Sequence, residues 1–358
     1  MAISPDPVGR APTGEGALPD HGYHPLQVRA VEPETVDAAT IVLDVAAELR
    51  AAYQYEAGQF LTFRVWIDGQ PHLRSYSMSS SPAVDPDLKV TVKRVPGGLV
   101  SNWLLDALAP GDVLEATRPA GVFCLGPCDG DVVAFCGGSG ITPVISVIKA
   151  ALATTSRAVH LLYANRGPDA VIFGSELAEL ADRWPGRLRV VHHHDVEHGF
   201  VDAETVRCFR AGVPDAEYYI CGPAPFMDIV ERALLAEAVA AERVHIERFT
   251  PWDAPPPPAE PDEATAARVT IELGGRVASV EHRPGTTVLQ TARQLGMAPP
   301  FSCEAGNCAT CMAKLVEGSV IMHVNNALTP AEVDEGWVLT CQAVPTAPSV
   351  RIVYDPED

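Results

Sequence analysis

The sequence contains no apolar run as long as the roughly 18–20 residues that a membrane-spanning helix requires. Its first residues also lack a basic stretch followed by an apolar core, so we expect no secretory signal, no membrane attachment and a cytoplasmic location. Cysteine is sparse, with nine residues among 358. In a reducing compartment such cysteines are more typical of metal ligands, catalytic thiols or buried small side chains than of a disulfide framework.

Positive charge is also scarce, because 26 Lys and Arg residues face 46 Asp and Glu residues, which gives a net charge of −20. Nucleic-acid binding requires a basic surface, so this composition argues against a nucleic acid as the partner. An acidic surface steers a protein towards a basic patch on a partner protein, although good solubility alone explains the same charge.

Proline marks the clearest boundary in the chain. Four consecutive prolines flanked by acidic residues lie within residues 251–266, where they predict an extended linker. Short β-type runs over residues 24–127 predict an antiparallel β-barrel. Alternating strands and helices over residues 128–250 predict an α/β domain with a parallel sheet. Residues 1–23 are expected to form a disordered tail, and residues 267–358 a third domain.

Two local signals in this third domain predict a hairpin turn and the start of a helix. Gly274-Gly275 separates two alternating runs and predicts a hairpin. Thr329-Pro330 is typical of a helix start, because threonine caps and proline suits the first helical position.

Four cysteines in the third domain have a distinctive spacing. Cys303, Cys308 and Cys311 lie within nine residues, and Cys341 follows after 29 further residues. This is the plant-type 2Fe-2S pattern, in which four thiolates hold two irons. Three ligands on one tight loop require the backbone to curl around the cluster, and Gly306 permits such a curl. The sequence therefore predicts these four cysteines as the cluster ligands.

A zinc site is the alternative, but structural zinc sites usually present two Cys-x-x-Cys pairs, and only Cys308 and Cys311 form one here. Ala309 follows the second cysteine, where many ferredoxins carry glycine. Apart from that departure, residues 268–358 resemble a plant-type ferredoxin domain over their whole length. The resemblance implies an α+β fold of the β-grasp type and a cluster that carries one electron at a time, near about −400 mV.

A second motif lies on a strand of the barrel-like segment, where Arg74, Tyr76 and Ser77 form an Arg-x-Tyr-Ser sequence. Taken alone, such residues are ordinary for a strand of alternating polarity. The motif resembles the flavin-binding motif of the ferredoxin–NADP reductase superfamily. By that resemblance Arg74 would neutralise a flavin phosphate, Tyr76 would lie against the isoalloxazine ring, and Ser77 would hydrogen-bond near flavin N5.

The next segment strengthens the resemblance. Gly98 and Ser101 match the Gly-x-x-Ser sequence of this superfamily, and a glycine-rich turn that opens a helix presents backbone N–H groups to a pyrophosphate. This favours FAD over FMN. Gly121 and Phe123 resemble the strand that closes the flavin domain. Three further residues are expected to contact the cofactor: Val92, Lys93 and Gly97.

A glycine-rich turn follows the first buried strand of the α/β segment. Gly137, Gly138 and Gly140 would let a pyrophosphate approach the backbone. Thr142 is placed to cap the following helix, and Pro143 to take its first position. The turn departs from G-x-G-x-x-G, with Pro143 where the third glycine would stand, but the same form is usual in the reductase superfamily.

A later strand ends in a Cys-Gly-Pro sequence, Cys221 to Pro223, at the edge where open α/β sheets bind ligands. A buried cysteine is by itself more typical of a small core side chain. By resemblance, Cys221 would lie near nicotinamide C4, with Gly222 and Pro223 beside it. Glu247 and Phe249 would lie close to the flavin, and simple strand packing is the alternative for these two.

The end of the second strand of the α/β segment bears on the choice of coenzyme. Sheets of this kind that bind NADH often carry an acidic residue there. This sequence has Asn165 and Arg166 instead, and an arginine could meet the 2′-phosphate of NADPH. The sequence resembles reductases of steroid hydroxylases, which mostly use NADH, so NADH is our expectation and NADPH the alternative.

Two groups of metal-binding residue types are expected to be spectators. His192, His193 and His194 lie on a strand, where neighbouring side chains point to opposite faces. Cys124 and Cys128 are separated by three residues, and a spectator pair is the expected reading.

Together, the motifs run in the order flavin, nicotinamide nucleotide and iron–sulfur cluster. The chain from about residue 24 resembles oxygenase reductases of the ferredoxin–NADP reductase superfamily that carry a fused C-terminal ferredoxin. The 3-ketosteroid 9α-hydroxylase and phenylacetyl-CoA epoxidase types are most similar, and the steroid type is favoured. The resemblance implies electron transfer from NAD(P)H through FAD and the cluster to a Rieske-type or di-iron oxygenase, in steroid or aromatic catabolism.

Two other functions are compatible with the same motifs. A redox sensor would use the cluster as a switch, but it would not need a complete path from a two-electron donor to a one-electron carrier. A self-contained diaphorase or ferric reductase would act on small acceptors without a partner protein. The sequence names neither the oxygenase, nor its substrate, nor the oligomeric state.

Overall fold

The computed structural model describes residues 23–213, 215–249, 268–297, 299–301, 306, 309, 311–325 and 327–354. They form three large sheets and one two-stranded sheet. Residues 1–22 of the predicted tail, the predicted linker, and Cys303 and Cys308 lie outside the described residues. Among the helices of the described ranges, none is both long enough and apolar enough to cross a membrane.

Six strands form the first sheet: β1 (His24–Thr35), β2 (Ala38–Asp44), β3 (Phe60–Ile67), β4 (Gln70–Ser77), β5 (Leu88–Lys93) and β6 (Val113–Ala116). They pair antiparallel in the order β4-β3-β6-β1-β2-β5. A bridge between Met78 and Val90 joins the two edges, so the sheet closes into the expected barrel. Helix α1 (Leu99–Ala107) connects β5 to β6.

The segment around Gly121 and Phe123 differs from its prediction as a closing strand. Only one bridge, between Ala120 and Phe60, ties it to the barrel. Gly121 has a φ of +116°, which strand residues do not adopt, so the chain turns away from the sheet at this point. Phe123 is buried against the second sheet instead, in the same core cluster as residues of that sheet.

Five strands form the second sheet: β7 (Val132–Gly137), β8 (Val159–Asn165), β9 (Leu188–His194), β10 (Glu217–Cys221) and β11 (Val244–Glu247). All pairs are parallel, in the order β11-β10-β7-β8-β9. The connecting helices are α2 (Ile141–Thr154), α3 (Gly174–Arg183), α4 (Asp195–His198), α5 (Ala203–Arg210) and α6 (Ala224–Ala236). The chain reverses direction across the sheet between β7 and β10, which opens a crevice at the carboxyl ends of these strands.

The start of helix α2 corrects one prediction. Thr142 was expected to cap this helix and Pro143 to be its first residue, but a short 3-10 turn over Gly138–Gly140 leads into α2 at Ile141. The hydroxyl of Thr142 donates to the carbonyl oxygen of Ser139 at 3.0 Å, so it does not cap the helix N–H groups. The glycines allow the chain to begin turning earlier than the threonine and proline signals indicate.

Five strands form the third sheet: β12 (Arg268–Leu273), β13 (Arg276–Glu281), β14 (Met312–Glu317), β16 (Trp337–Leu339) and β18 (Ser349–Val353). Their order is β13-β12-β18-β14-β16, with β12 and β18 parallel. Strands β15 (Val320–Met322) and β17 (Ala343–Pro345) pair separately, and the helices are α7 (Val288–Gln294) and α8 (Pro330–Asp334). Because α7 shares a core cluster with the central strands, the domain is of the predicted α+β class.

Both local signals in this third domain are confirmed. Gly274 and Gly275 have φ values of +56° and +76°, which suit a two-residue hairpin turn. The hydroxyl of Thr329 accepts a hydrogen bond from the Glu332 N–H, and the Glu332 carboxylate accepts one from the Thr329 N–H. This reciprocal pair caps α8 at the residue that the sequence indicated.

Polar contacts fix the barrel against the parallel sheet. Lys149, on α2, is only 5% exposed, and its Nζ lies 3.2 Å from both the Ser79 carbonyl oxygen and the Asp85 carboxylate of the barrel. One turn earlier, the hydroxyl of Ser146 donates to the carbonyl oxygen of Ser80 at 2.6 Å. A buried lysine needs such partners, so these contacts hold the two domains in one orientation and define the cleft between them.

Candidate functional site

A cavity of about 950 Å³ lies between the barrel and the parallel sheet. Its walls come from the ends of β5, β7 and β8 and from the loop after β10. It therefore lies where the strand order reverses, which is where open α/β sheets bind ligands. Seven residues predicted to contact a cofactor line it: Lys93, Gly97, Gly137, Gly138, Asn165, Arg166 and Pro223.

Three glycines let two loops pack backbone against backbone at this wall. A Cβ on Gly140 would lie 2.1 Å from the carbonyl oxygen of Cys221, and a Cβ on Gly222 would lie 2.9 Å from the backbone nitrogen of Gly137. A Cβ on Gly137 would meet the ring of Pro223 at 2.9 Å. Any larger residue would force the loops apart. The resulting cradle lies at the start of α2, where free N–H groups favour an anionic ligand.

Asn165 is a buried polar side chain in the cavity wall. It is 4% exposed, and neither atom of its amide has a hydrogen-bond partner within the described residues, although the Tyr163 hydroxyl lies close by. Buried amides are nearly always hydrogen-bonded in folded proteins. The side chain is therefore suited to a ligand that can both donate and accept, such as one carrying ribose hydroxyls.

The two domains also meet through Ser77 and Glu247, which lie outside the lining of the cavity. Ser77 ends β4 and Glu247 ends β11, and the serine hydroxyl donates to the Glu247 carboxylate at 2.8 Å. Burial raises the pKa of Glu247 to about 7, and the hydrogen bond from Ser77 opposes that shift. A carboxyl group with such a pKa gains and loses its proton near neutral pH.

Cys221 lies beside this pair, because it is the register partner of Glu247 in the neighbouring strand. Its side chain is fully buried, and burial raises the pKa of the thiol well above its usual range, with a further contribution from Glu247. The sulfur is therefore a neutral thiol. It does not line the cavity, so a nicotinamide could reach it only if the covering side chains moved.

The predicted flavin contacts lie along the barrel strand β4. The Arg74 guanidinium donates to the Leu73 carbonyl oxygen at 2.7 Å, and the Tyr76 ring lies 5.7 Å from the Phe63 ring. Burial raises the pKa of the Tyr76 hydroxyl. The Val92 side chain is wholly buried in the barrel core, so a contact between Val92 and a cofactor would have to come from its backbone. Strand alternation turns its neighbour Lys93 towards the cavity.

The glycine-rich turn before α1 is shaped by its own serine. Gly97 has a φ of +73°, and Gly98 is the residue that precedes the helix. The Ser101 hydroxyl accepts a hydrogen bond from the Val95 N–H at 3.2 Å, and a Cβ on Gly98 would lie 2.7 Å from that hydroxyl oxygen. Ser101 therefore holds the turn in place, while Gly97 lines the cavity.

The remaining predicted residues are dispersed around the site. Phe249 lies two residues beyond Glu247 and is 45% exposed. The rings of His192 and His194 share one face of β9, 6.1 Å apart, whereas His193 on the other face contacts the Gly199 carbonyl oxygen at 2.8 Å. Cys124 and Cys128 are both free and partly buried.

Of the four cysteines predicted to hold the iron–sulfur cluster, Cys311 and Cys341 lie within the described residues. Cys311 and Cys341 are buried in one apolar cluster, and the Thr340 hydroxyl donates to the Cys311 carbonyl oxygen at 2.8 Å. Gly306 has a φ of +74°, and a Cβ there would lie 2.5 Å from the Val324 carbonyl oxygen. Ala309 has a φ of +53°, a conformation that favours glycine. The described part of the loop therefore has the tight curl and the thiols that a cluster would need.

Sequence reasoning missed the carboxylates of the cavity. Asp37, in the turn between β1 and β2, contacts Arg166 at 3.1 Å, although 129 positions separate them. Asp106, near the end of α1, contacts Arg94 at 2.7 Å. Neither carboxylate belongs to a recognisable motif, and only the closed barrel and the domain interface bring Asp37 to the cavity.

Three family models match the chain. They are the oxidoreductase FAD-binding domain over residues 25–124, the oxidoreductase NAD-binding domain over residues 135–232, and the 2Fe-2S iron-sulfur cluster binding domain over residues 271–346. The fold and the site thus define an oxidoreductase that has FAD-binding, NAD-binding and 2Fe-2S domains in one chain.

Two curated proteins resemble the chain over nearly their whole length. The ferredoxin reductase component of 3-ketosteroid-9-alpha-monooxygenase from Rhodococcus rhodochrous is 40% identical, over 92% of this chain and 96% of that protein. A component of 1,2-phenylacetyl-CoA epoxidase from Escherichia coli is 33% identical, over 93% of this chain and 98% of that protein. The chain belongs to the family of oxygenase reductases that includes these two proteins, which confirms the resemblance inferred from its motifs.

A solved structure supports the same architecture. Phthalate dioxygenase reductase, described as a modular structure for electron transfer from pyridine nucleotides to 2Fe-2S, superposes with a TM-score of 0.59. It is 24% identical and covers 93% of this chain and 98% of its own. At this identity the likeness concerns the fold alone, and it agrees with the predicted combination of barrel, parallel sheet and ferredoxin domain.

Proposed function

We propose that this chain takes electrons from NADH and delivers them, through FAD and a 2Fe-2S cluster, to a separate oxygenase component. The observation that carries the proposal is the cleft between barrel and parallel sheet, whose wall holds a glycine cradle and the unpaired, buried amide of Asn165. When bound, a flavin would supply the conversion between a two-electron donor and a one-electron acceptor. Buried Cys311 and Cys341 supply thiols for that acceptor.

Predicted site residues in all three domains have proposed roles. In the barrel, Arg74 and the turn at Gly97 and Gly98 bind FAD phosphates, and Tyr76 lies against the flavin ring. In the second domain, the cradle binds the coenzyme pyrophosphate and Asn165 binds a ribose. The four cluster ligands are Cys303, Cys308, Cys311 and Cys341.

Ser77 and Glu247 are proposed to move a proton where the barrel meets the parallel sheet. With a pKa of about 7, the Glu247 carboxylate can accept a proton through the Ser77 hydroxyl and release it again near neutral pH. Cys221 is a neutral thiol buried beside this pair, and it does not act as a nucleophile.

The proposed electron acceptor is an oxygenase of the Rieske or di-iron type. A steroid pathway is favoured over an aromatic one, because the steroid-type relative is 40% identical and the epoxidase relative 33%. The net charge of −20 supports docking to a basic patch on that partner and argues against nucleic acid. Thiol ligands persist in reducing compartments, so we place the protein in the cytoplasm.

An anaerobic titration of the purified, full-length protein tests the proposal. NADH and, separately, NADPH are added while the flavin and iron–sulfur absorbance bands are recorded. Bleaching of both bands by NADH is the expected result. Bleaching of the flavin alone would exclude the cluster from the path and favour a diaphorase or ferric reductase.

A second arm of the same experiment addresses the sensor alternative. The reduced protein is mixed with oxidised one-electron acceptors, cytochrome c and ferricyanide, and reoxidation of the cluster is followed. A sensor has no need of fast transfer to an external acceptor, so a cluster that stays reduced would contradict the proposed function.

A further inference from the structure

Asp37 is held in a fixed position at the edge of the cavity. It lies in the turn between β1 and β2, and its carboxylate accepts a hydrogen bond from the Thr35 hydroxyl at 2.9 Å. Its own N–H donates to the Thr35 oxygen at 3.3 Å, and its carbonyl oxygen accepts from the Arg94 N–H at 2.7 Å. The turn thus presents the carboxylate of Asp37 in one orientation, towards the parallel sheet.

This carboxylate pairs with two of the cations that line the cavity. It lies 3.1 Å from the Arg166 guanidinium and 4.0 Å from Lys93 Nζ. The Arg166 side chain is 75% exposed, whereas that of Asp37 is 21% exposed. The ion pair therefore joins an exposed guanidinium to a carboxylate that is mostly buried and held in place by its turn. Burial lowers the pKa of Lys93, and Asp37 opposes this shift.

Arg94, the third cation of the cavity wall, is also paired with a carboxylate. The Arg94 guanidinium donates to both carboxylate oxygens of Asp106, at 3.1 Å and 2.7 Å. Asp195, which follows β9, adds a third carboxylate to the lining. Within the described part of the chain, each arginine and lysine that lines this cavity therefore already has a carboxylate partner and is not free to bind a dianion.

The position of Arg166 makes this pairing relevant to the coenzyme. It follows the end of the second strand of the sheet, where the adenosine ribose lies in dinucleotide-binding folds and where an arginine can accommodate a 2′-phosphate. A guanidinium binds phosphate through paired N–H groups. Here those groups contact Asp37, so a 2′-phosphate, with about −1.5 to −2 charges, would have to displace the acid or lie against it.

We propose that Asp37, a residue of the barrel, is a specificity determinant that favours NADH over NADPH by occupying Arg166 and repelling a 2′-phosphate. The inference rests on the proposed function, because it assumes that a nicotinamide coenzyme binds in this cleft. Discrimination by a built-in repulsion needs no contact that is unique to the preferred ligand. Removal of the negative charge at Asp37 should therefore relax the selectivity and leave NADH oxidation possible.

The test compares Asp37→Asn with the parent, both as full-length holoproteins. The amide keeps the size of the side chain and can still accept from Thr35, so the turn should persist. We measure kcat/KM for NADH and NADPH with ferricyanide as acceptor. The ratio of the two values should shift towards NADPH by roughly 10-fold to 100-fold, because a like charge beside the phosphate is removed.

Asp44→Asn is the matched control. Asp44 ends the same hairpin and pairs with Arg29, and it is not part of the cavity wall. It carries the same change of charge and side chain, so the coenzyme ratio of Asp44→Asn should stay at the parent value. An equal shift in both variants would indicate a general effect of net charge and would overturn the proposal.

The double variant Asp37→Asn, Arg166→Ala locates the effect. If Asp37 acts through Arg166, the gain with NADPH should be lost in the double variant, whereas Arg166→Ala alone should change the parent ratio little. Calorimetric titration with adenosine 2′,5′-bisphosphate and with 5′-AMP gives a readout without turnover. Only the bisphosphate should bind more tightly to Asp37→Asn.

The outcomes separate this inference from the proposed function. A parent that oxidises NADH, combined with an Asp37→Asn variant of unchanged coenzyme ratio and unchanged bisphosphate affinity, would overturn the inference alone. A parent that prefers NADPH would do the same. A parent that oxidises neither coenzyme would overturn the proposed function and the inference with it.

Discussion

The hydroxyl of Ser77 donates a 2.8 Å hydrogen bond to the carboxylate of Glu247, across 170 positions of the chain. The contact joins the last residue of β4 in the barrel to the last residue of β11 in the parallel sheet. Because burial raises the pKa of Glu247 to about 7, the charge at this junction changes close to neutral pH. Both the chemistry of the cleft and the stability of the domain interface should depend on this carboxyl group.

The first prediction concerns the pH profile of turnover. In the parent, turnover with NADH should rise through about pH 7, because the ionised Glu247 carboxylate can accept a proton through Ser77. Glu247→Gln cannot ionise, so the inflection should vanish and the rate at pH 8 should fall by roughly 100-fold. Ferricyanide reduction between pH 5.5 and 9, at saturating NADH, measures both effects.

Glu231→Gln is the control for this profile. Glu231 lies on α6 and binds Arg248, one residue beyond Glu247, so its substitution is chemically identical and close in space. It should keep the parent inflection. A Glu247→Gln variant that retains the inflection would assign it to another group.

The second prediction concerns stability. The pKa of Glu247 is about 7 in the folded protein, against an ordinary value of 4.5, so the folded state holds this proton more tightly than the unfolded chain. The corresponding stabilisation is complete below pH 4.5 and is lost as the pH rises through 7. Thermal unfolding from pH 5 to pH 8 should therefore lower the melting temperature more in the parent than in Glu247→Gln. An equal decrease in both proteins would contradict the raised pKa.

Much of the fold follows from local patterns in the sequence. Strand β7 is buried throughout and reads as an uninterrupted apolar run, as parallel strands do. Gly274-Gly275 and Thr329 specify a turn and a cap through their own backbone preferences, which tertiary contacts do not have to correct. Cysteine spacing is equally local, because three predicted ligands lie on one loop.

Other features depend on contacts between distant residues and leave no local trace. The barrel closes at Met78 and Val90, and Asp37 reaches Arg166 across two domains. The expectation that Thr142 caps α2 failed for a local reason, because the early turn at Gly138 moves Thr142 away from the capping position. Alternation along β5 is local too, and it turns Val92 into the barrel core and Lys93 towards the cavity.

The third prediction tests the backbone cradle. Gly140→Ala would place a Cβ 2.1 Å from the Cys221 carbonyl oxygen, a rigid backbone group, so the two loops must separate. We expect a loss of about 1–3 kcal/mol in the free energy of unfolding. The KM for NADH should also rise strongly, because the loops form the pyrophosphate wall. Chemical denaturation and steady-state kinetics measure these two quantities.

Gly212→Ala is the matched control for the cradle. A Cβ on Gly212 meets no heavy atom within 4 Å, so the same substitution costs little there. It should leave both stability and KM near the parent values. A normal KM in Gly140→Ala would place the coenzyme elsewhere in the cleft.

The fourth prediction concerns Ala309, which has a φ of +53° in the cysteine loop. An L-residue in this conformation is less stable by about 1–2 kcal/mol than in a right-handed one, and glycine is free of that penalty. Ala309→Gly should slow the loss of cluster absorbance in the presence of a chelator. Ala331→Gly, in helix α8, makes the same change at an ordinary helical position and should be destabilising. Slower cluster loss in both variants would argue against relief of strain.

The fifth prediction separates the two halves of the electron path. Cys341 is buried beside Cys311 in the third domain, whereas the coenzyme cavity is lined by the first two. Cys341→Ser should therefore lose the visible absorbance of the cluster and the reduction of cytochrome c, since a serine hydroxyl is a poor substitute for a thiolate ligand. Reduction of the flavin by NADH should continue, and an anaerobic titration measures both.

Cys208→Ser is the control, because the Cys208 thiol is exposed on α5 and belongs to neither site. It should keep the absorbance of the cluster and reduce cytochrome c at the parent rate. If Cys341→Ser also retained the cluster, Cys341 would not be a ligand, and the spacing argument for this residue would fail. If it lost flavin reduction together with the cluster, the third domain would be required for coenzyme binding or for the fold of the whole chain. That result would be at odds with a cavity built from residues of the barrel and the parallel sheet.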